Sequence, residues 1–483
     1  ENPMSISRSV LAAAVMGASV ASALELGSSR PENNVFVTGE GVEVTLSGPG
    51  AAGRRLWGRV TDYWGAEVDR GEWDLAGGAY TQRWSLGAPG PGYYLVSAEV
   101  RAGTGAVEKA RMPLAVIAPP TAEMAAPEFR AYPFGLCGMG IGRKALTGPL
   151  EDWQRFVGGR WHRTGELTWR GVEREKGVWK FSGRIDSNDY WRVMPHISGT
   201  PGWAQKAPGS YYPSDWEGVK VYVRKAVEYY RERVRPPRVY ILGNEWCGIR
   251  IQKSDFEDEL TYNRIAAKEI RAADPESQIV VYGPEGDLRS ESTRKFFESG
   301  LFDLCDGFSQ NYYINSPMPE TVDPVYGDRV DQVRALLAQY GYTNKSAWIT
   351  EVGYSTQPGN PSGIDDVRKA HALVRRTVMA LAKNIECYIE HSPSDWEPNC
   401  FYGLVHDAEY YAGRIPTTRS APNSIYPKES FVSYCVMVRQ LTGAEYVQRL
   451  DYLGATAMGA VFRKEGKPVL VLWDYSGEPQ KVE

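Results

Sequence analysis

The pattern of hydrophobic and polar positions divides the chain into three parts. From residue 33 to residue 118, short alternating stretches such as 42–46 are separated by turns rich in glycine and proline. Strands at this spacing predict a β-sandwich of the immunoglobulin-like kind. After residue 443 strand-like runs return at 457–463 and 469–473, and they predict a short C-terminal β element. That element is either a small sheet packed on the preceding domain or the start of a truncated domain.

The long central part alternates between strand-like and helix-like segments. Its eight strand-like runs lie at 134–138, 159–164, 191–197, 239–243, 278–282, 307–312, 346–350 and 387–390. Helix-like segments intervene, among them 219–233, 257–273, 330–340 and 365–383. This alternation is typical of βα units, so we predict an α/β fold, a (β/α)8 TIM barrel. The predicted domains are 24–120 for the sandwich, 128–441 for the barrel and 442–483 for the C-terminal element.

Two glutamates each lie where a predicted barrel strand ends. Glu245 follows the run 239–243, and Glu351 lies 106 positions later, directly after the run 346–350. A barrel of ~250 residues uses roughly 31 residues per βα unit, so this separation predicts strands 4 and 7. Side chains at the C-terminal ends of barrel strands face one shared mouth. Two carboxylates placed there can supply the acid/base and the nucleophile that glycosidic bond cleavage requires.

These residues and their surroundings resemble clan A, a group of retaining glycoside hydrolases. The resemblance begins with the two glutamates and continues in WRGVEREKGVW at 169–179, where Arg174 stands in place of the usual proline. The later segment SGTPGWA at 198–204 is especially similar to glycoside hydrolase family 39. The resemblance implies a (β/α)8 barrel with Glu245 as acid/base and Glu351 as nucleophile.

The resemblance also implies substrate-binding roles for other residues. Asn244 would contact the 2-hydroxyl group of the sugar in subsite −1, and Arg163 would help to keep Glu351 ionised. Trp203 would stack on a sugar or pack within its own loop. Trp396, which follows the eighth predicted strand, is a second candidate for stacking.

The sixth predicted strand departs from the clan pattern at one position. The segment DGFSQNYY at 306–313 matches D-x-x-S-x-H-x-Y, with Asn311 in place of the histidine. The side-chain amide of Asn311 can still bind a sugar hydroxyl. Tyr313 aligns with the tyrosine that hydrogen-bonds the nucleophile in relatives, and Tyr312 is the alternative.

Composition excludes several classes of protein. A net charge of −4 gives no basic footprint for nucleic acid, and no apolar run reaches the ~20 residues of a membrane span. The six cysteines and five histidines show no metal-ligand spacing, so we expect neither a metal nor another cofactor. The cysteines are expected to be buried thiols, with one disulfide, Cys387–Cys400, as the alternative. The expected partner is a carbohydrate substrate, and nothing indicates the oligomeric state.

Residues 1–23 admit two interpretations. One positive charge at Arg8, an apolar stretch over 10–20 and the end Ala21-Ser22-Ala23 are the three parts of a secretory signal. The alternative is an alanine-rich packing segment of the first domain. We favour export, which predicts a secreted, periplasmic or cell-surface protein.

Three classes of function compete. The leading hypothesis is a retaining glycoside hydrolase that cleaves an extracellular poly- or oligosaccharide by double displacement, and a transglycosidase would use the same two glutamates. The second class is a catalytically inactive carbohydrate-binding barrel, which would need a blocked cleft despite its intact carboxylates. The third class, a structural or adhesion protein, gives no reason for a carboxylate pair at the ends of two strands.

Overall fold

A closed barrel of eight parallel strands forms the centre of the protein in this computed structural model. The structure describes residues 24–50, 52–103, 105–125, 132–137, 156–181, 192–245, 256–283, 288–311, 313, 319–322, 324–357, 359, 364–395, 401–407, 425–450, 453 and 456–476. The barrel strands, in chain order, are Phe134–Cys137, Trp161–Thr164, Arg192–Ile197, Val239–Leu242, Gln278–Tyr282, Gly307–Asn311, Ser346–Val352 and Ile385–His391. Each strand pairs with the next, and the eighth pairs with the first. The predicted (β/α)8 barrel is confirmed.

Alternation along each strand separates the barrel interior from the surrounding helices. In the fourth strand, Val239 and Ile241 belong to the apolar cluster inside the barrel, whereas Tyr240 and Leu242 pack beneath the helices. Successive side chains of a strand point to opposite faces, and both faces of a parallel barrel are covered. The fourth and fifth strands, Val239–Leu242 and Gln278–Tyr282, therefore appear in the sequence as nearly continuous apolar runs.

Helices cover the outside of the barrel. The described α-helices of this part are Trp169–Val172, Trp216–Arg233, Phe256–Ala273, Glu291–Glu298, Pro319–Val322, Pro324–Gln339, Asp366–Leu381 and Glu429–Leu441, with 3₁₀ turns at Gly202–Ala204 and Leu301–Asp303. Asp215 begins the helix Trp216–Arg233, because its side chain accepts a hydrogen bond from the Glu217 amide. The four helices predicted at 219–233, 257–273, 330–340 and 365–383 are all present, with bounds that differ by up to six residues. None of the described helices combines the length and the apolarity that a membrane crossing requires.

Two facing sheets form the N-terminal β-rich domain. One sheet contains Glu25–Ser28, Glu43–Gly50 and Gly78–Ser85, and the other contains, in spatial order, Val35–Val37, Gly105–Ile117, Gly92–Ala102, Arg54–Asp62 and Glu67–Leu75. Inward side chains of both sheets, such as Val44 and Val96, share one apolar cluster. This two-sheet arrangement is the architecture that the alternating pattern predicted.

The C-terminal strands form a small sheet that is packed against the rest of the molecule. Glu445–Leu450, Ala457–Lys464 and Lys467–Asp474 pair in antiparallel order. One apolar cluster includes Ala460 and Phe462 of this sheet, Ile117 of the N-terminal domain and Phe431 of the last barrel helix. The three parts of the chain therefore share a core. One further short antiparallel pairing, of Val405–Asp407 with Ile425–Pro427, and the short helix Ala122–Ala125 complete the described elements.

The prediction of buried thiols is confirmed for the four cysteines that the structure describes, Cys137, Cys305, Cys387 and Cys435. Cys387 is a free thiol with no exposed surface, inside the barrel with Ile241 and Ile389. The alternative, a Cys387–Cys400 disulfide, is therefore not formed, although Cys400 itself lies outside the described residues. A thiol at this position behaves as a small apolar side chain in the barrel core.

A buried network of charges anchors the last barrel helix. The ammonium group of Lys428, which precedes this helix, lies 2.9 Å from Asp395 Oδ2 and 3.3 Å from Asp366 Oδ1. Burial by itself raises the pKa of each carboxyl, but the Lys428 charge and the His406 imidazole outweigh burial and lower both pKa values. The helix Asp366–Leu381, the loop after the eighth strand and the helix Glu429–Leu441 meet at this cation.

We expect Lys428→Met to lower the free energy of unfolding by about 3–5 kcal/mol at pH 7, because Asp366 and Asp395 would stay buried without their cation. In the wild type both folded-state pKa values lie below the unfolded value of about 4, so this stabilisation is present above pH ~4 and is lost as pH falls. The difference in stability between the wild type and the variant should therefore be largest near neutral pH and should shrink as pH falls below ~4. Urea unfolding at several pH values measures the effect.

The control for this prediction is Lys295→Met. Lys295 lies 3.3 Å from Glu291 on the surface, where both side chains are largely exposed. Exposed pairs of this kind contribute about 0–1 kcal/mol. Equal losses in the two variants would contradict the role assigned to Lys428.

Candidate active site

Polar side chains from four barrel strands or their ends converge at the C-terminal mouth of the barrel. Arg163 belongs to the second strand, Asn244 and Glu245 follow the fourth, Asn311 ends the sixth and Glu351 lies in the seventh. These positions are far apart in the sequence. Barrel closure brings them together, because the C-terminal ends of all the strands lie at one face.

Arg163 is the centre of this cluster. Its Nη1 atom donates a hydrogen bond to Glu351 Oε2 at 2.5 Å, and its Nη2 atom donates to Asn244 Oδ1 at 2.7 Å. Its Nε atom donates to His196 Nε2. The Arg163 side chain is only 8% exposed. One planar guanidinium therefore fixes a carboxylate, an amide and an imidazole at once.

Glu351 is held by two donors and is 19% exposed. Besides Arg163, the hydroxyl of Tyr313 donates to Glu351 Oε1 at 2.5 Å. Burial tends to raise the pKa of the Glu351 carboxyl, but the Arg163 charge, the His391 imidazole and the two hydrogen bonds outweigh burial, and its pKa is lowered. Glu351 is therefore ionised at neutral pH. Burial and the Glu351 charge together raise the pKa of Tyr313, so its hydroxyl keeps the proton that it donates.

Glu245 is connected to the same cluster through Asn311. The Asn311 amide donates to Glu245 Oε1 at 3.2 Å and to Asn244 Oδ1 at 3.1 Å. The Asn311 carbonyl in turn accepts a hydrogen bond from Arg163 Nη1 at 3.4 Å. The side-chain amide of Asn311 therefore contacts Glu245 and also Arg163, the cation that holds Glu351.

The backbone at Glu245 has a left-handed conformation, with φ of 51°. For a residue other than glycine this region costs roughly 1–2 kcal/mol. Gly243, two residues earlier, also has a positive φ, of 73°, and glycine adopts it without that cost. Non-glycine residues in this region cluster at functional sites, where the surrounding structure holds them. The chain after the fourth strand is therefore shaped to present Glu245 at the mouth.

An irregularity in the seventh strand directs Glu351. Ala347 and Ile349 pack on the helix side of the barrel wall, and strict alternation would place Glu351 there as well. The pairing with the sixth strand shifts between Gln310 and Asn311, so that Asn311 pairs with Glu351. Val352 packs on the helix side instead. The extra residue turns Glu351 towards the mouth, as β-bulges beside active sites commonly do.

His196 is a member of the cluster that the sequence did not single out. Burial and the nearby Arg163 charge lower the pKa of His196 far below its usual value, so the imidazole is neutral. A neutral imidazole can accept the hydrogen bond from Arg163 Nε. The position of His196, at the end of the predicted third strand, was the signal that could have identified it.

Two more groups beside Glu351 were also missed. Cys137 and His391 end the first and eighth strands, and the Cys137 sulfur lies 3.3 Å from His391 Nδ1. The rings of Tyr313 and Tyr402 meet edge to face at 5.6 Å, and Tyr402 also contacts His391. Burial, the largest effect, lowers the pKa of His391 although the Glu351 charge opposes it. The position of Cys137 and of His391 at the end of a strand was the feature of the sequence that could have identified both residues.

Trp203, the first tryptophan candidate, makes its described contacts away from this cluster. Trp203 is 38% exposed, and its indole N–H donates to the Glu173 carbonyl at 3.0 Å. It also packs edge to face on Trp169, so its contacts within the described residues belong to the loop after the second strand. Trp396 and Tyr312 lie outside the described residues. Of the two tyrosines considered, Tyr313 is the one seen to contact Glu351.

Comparison with solved structures supports the architecture. One similar structure is a family 39 glycoside hydrolase from the gut symbiont Bacteroides cellulosilyticus WH2, with a TM-score of 0.67 and 16% identity over 93% of this chain and 89% of that chain. This likeness shows the fold. A putative β-galactosidase from Bacteroides fragilis matches with a TM-score of 0.38 and 13% identity, over 95% of this chain and 74% of that chain. A β-glucuronidase from Ruminococcus gnavus matches with a TM-score of 0.41 and 12% identity, over 86% of this chain and 68% of that chain.

The likeness of these last two structures is too low to support an argument. No protein-family model matches the sequence, and no curated protein matches it. The fold that the clan A resemblance implied is confirmed, whereas the roles of individual residues depend on the geometry of the site. That geometry provides an ionised carboxylate, Glu351, and a second carboxylate, Glu245, that is linked to it through Asn311 and Arg163.

Proposed function

We propose that this protein is a retaining glycoside hydrolase that uses Glu351 as nucleophile and Glu245 as general acid/base. The main support is the asymmetry between the two carboxylates. Glu351 receives a guanidinium and a phenol hydroxyl, whereas Glu245 receives one neutral amide hydrogen bond from Asn311. Two carboxylates in different surroundings can divide the roles of ionised nucleophile and proton carrier.

The reaction would proceed in two displacements. Glu351 attacks the anomeric carbon while Glu245 gives its proton to the leaving oxygen, so the glycosidic bond breaks as the glycosyl–Glu351 ester forms. Formation of the ester removes the charge of Glu351. Glu245, now a carboxylate, takes a proton from water as the water attacks the anomeric carbon. Cleavage of the ester returns both glutamates to their initial states, with net retention of configuration.

The surrounding residues would position the sugar and the nucleophile. Asn244 and Asn311 carry amides that can bind sugar hydroxyls, and Arg163 already orients both amides. Tyr313 and Arg163 hold the two oxygens of Glu351, which fixes the direction of attack. Fixed geometry of this kind lowers the entropic cost of reaching the transition state.

The proposed substrate is an extracellular poly- or oligosaccharide. This part of the proposal relies on the signal-like composition of residues 1–23 and on the hydrolase activity of the family 39 protein with the similar fold. Transfer to a second sugar in place of water would use the same covalent intermediate. The ratio of hydrolysis to transfer depends on which acceptor enters the mouth.

A substrate panel with stereochemical analysis tests the proposal. The protein is incubated with aryl glycosides and polysaccharides, and proton NMR follows the anomeric configuration of the first product. We expect retention, together with covalent labelling of Glu351 by a slow 2-deoxy-2-fluoro glycoside of the matching sugar, located by peptide mass spectrometry. Inversion would contradict the mechanism. Tight binding of glycans without any cleavage would favour the inactive carbohydrate-binding barrel.

Substitution of Arg163 tests how Glu351 is kept ionised. In Arg163→Met the cation that lowers the pKa of Glu351 is absent, so the pKa should rise. Because the nucleophile must be ionised, the acidic limb of the kcat/KM profile should move to higher pH. We also expect kcat/KM at its optimum to fall roughly 10²-fold or more, since Asn244 and Asn311 lose a shared partner.

The control is Arg163→Lys, which keeps the positive charge and loses the planar fork. Its acidic limb should stay nearer to that of the wild type, although its maximal rate should fall. Identical profiles for Arg163→Met and the wild type would contradict the role assigned to Arg163.

A further inference from the structure

Three potential metal ligands meet at the junction of the first and eighth strands. Cys137 and His391 are direct partners in the pairing of these strands, and Cys137 Sγ lies 3.3 Å from His391 Nδ1. Glu351 approaches from the seventh strand. One ligand atom from each of the three residues lies within 4.8 Å of the other two. The sequence did not reveal this set, because the three residues are widely separated along the chain.

The distances are close to those of a tetrahedral zinc site. With Zn–S near 2.3 Å and Zn–N near 2.1 Å, two ligand atoms of such a site are about 3.5 Å apart. Cys137 Sγ and His391 Nδ1 already have this spacing. The carboxylate needs to approach by about 1.3 Å at most, from 4.8 Å to about 3.5 Å, and its two oxygens retain lone pairs beside the bonds from Arg163 and Tyr313.

The donor types indicate which cations would bind. A thiolate and an imidazole favour Zn²⁺, Cd²⁺ and Co²⁺, whereas Mg²⁺ and Ca²⁺ prefer oxygen ligands only. Three protein ligands leave the fourth position for water, because the site opens towards the mouth. The positive Arg163 beside Glu351 opposes a second cation, so occupancy should be reversible and dependent on the metal concentration.

We propose that Cys137, His391 and Glu351 form a binding site for a thiophilic divalent cation such as Zn²⁺, and that occupancy inhibits the enzyme. On binding, the Cys137 thiol loses its proton to solvent, and the thiolate, the imidazole Nδ1 and one carboxylate oxygen become ligands. The coordinated carboxylate can no longer attack an anomeric carbon. The inhibition rests on the proposed function, whereas metal binding stands without it.

The binding test uses purified protein freed of metal and two matched cysteine variants. Cys137→Ala removes the ligand, and Cys387→Ala removes another buried thiol of the barrel interior. Co²⁺ replaces Zn²⁺ as a spectroscopic probe, because a thiolate–Co²⁺ bond gives a charge-transfer band. We expect the band and calorimetric Zn²⁺ binding in the wild type and in Cys387→Ala. In Cys137→Ala the band should be lost and the Zn²⁺ dissociation constant should rise at least roughly 10-fold.

The inhibition test uses the substrate identified by the panel. Zn²⁺ should inhibit the wild type and Cys387→Ala reversibly, with activity restored by a chelator, and Mg²⁺ at the same concentration should have no effect. Cys137→Ala should require at least roughly 10-fold more Zn²⁺ for half inhibition. If no glycoside is cleaved, the binding test still decides the metal site, so failure of the two proposals can be distinguished.

Several results would overturn the proposal. These are absence of Zn²⁺ binding to the wild type, equal binding by Cys137→Ala and the wild type, and loss of binding in Cys387→Ala to the extent seen in Cys137→Ala. Inhibition by Zn²⁺ that is unchanged in Cys137→Ala would place the inhibitory metal elsewhere. Circular dichroism checks that both variants are folded. If Cys137→Ala does not fold, His391→Gln replaces it, and unaltered Zn²⁺ affinity in that variant would also overturn the site.

Discussion

Replacement of Glu351 by glutamine should lower kcat/KM on the order of 10⁴-fold or more, for substrates with good and with poor leaving groups alike. Glutamine has the shape of glutamate and can still accept the hydrogen bond from Tyr313. It cannot form the glycosyl ester, so the first displacement is lost whatever group departs. Initial rates with a series of aryl glycosides of different leaving-group pKa measure this loss.

The control for this variant is Glu298→Gln. Glu298 pairs with Arg294 on the surface of a barrel helix, and its side chain is 45% exposed. We expect its activity to match that of the wild type. Activity of Glu351→Gln within tenfold of the wild type would show that the nucleophile lies elsewhere. Thermal unfolding of both variants would show whether any loss comes from a damaged fold.

Replacement of Glu245 by alanine should separate substrates according to their leaving groups. General acid catalysis typically contributes 10²–10⁴-fold, and this contribution matters most when the leaving group is poor. An activated aryl glycoside should still form the ester with Glu351, because its leaving group needs little protonation. Without a base for water, the ester should then accumulate, giving a burst of released phenol followed by slow turnover.

Azide tests this assignment directly. It needs no base, so it should accelerate turnover of Glu245→Ala and give a glycosyl azide with retained configuration. The same addition should not restore retention in Glu351→Ala, which lacks the covalent route. If azide rescues Glu351→Ala with retention and leaves Glu245→Ala unchanged, the two roles are reversed. If neither variant loses activity, the catalytic site is elsewhere.

The sequence alone was sufficient for the barrel and for two glutamates at the ends of its fourth and seventh strands. All eight strands were predicted, because each is a short strand-like segment and helix-like segments alternate with these segments along the chain. Glu245 and Glu351 stood out because each closes such a run at a separation that fits whole βα units. These features are either local or depend on regular spacing along the chain, so the sequence by itself is enough to reveal them.

The direction and contacts of these side chains were decided by the tertiary structure. Alternation along the seventh strand would have placed Glu351 among the helices, and only the shift in strand pairing turns it to the mouth. The Arg163 contacts with Asn244 and His196 join three strands. Such contacts depend on the exact register of the barrel, which apolar runs do not specify.

Barrel closure explains most of what the sequence did not reveal. Cys137 and His391 are 254 positions apart, yet they are paired because the last strand meets the first. A search for ligand spacing along the chain cannot find such a set. Cys387 is a buried thiol as predicted, but its contacts inside the barrel with Ile241 and Ile389 likewise follow from closure. The sequence determined which segments form the barrel wall and which residues end it. Only closure of the wall decided which of these residues touch, because contacts across a ring arise between residues that are remote in the chain.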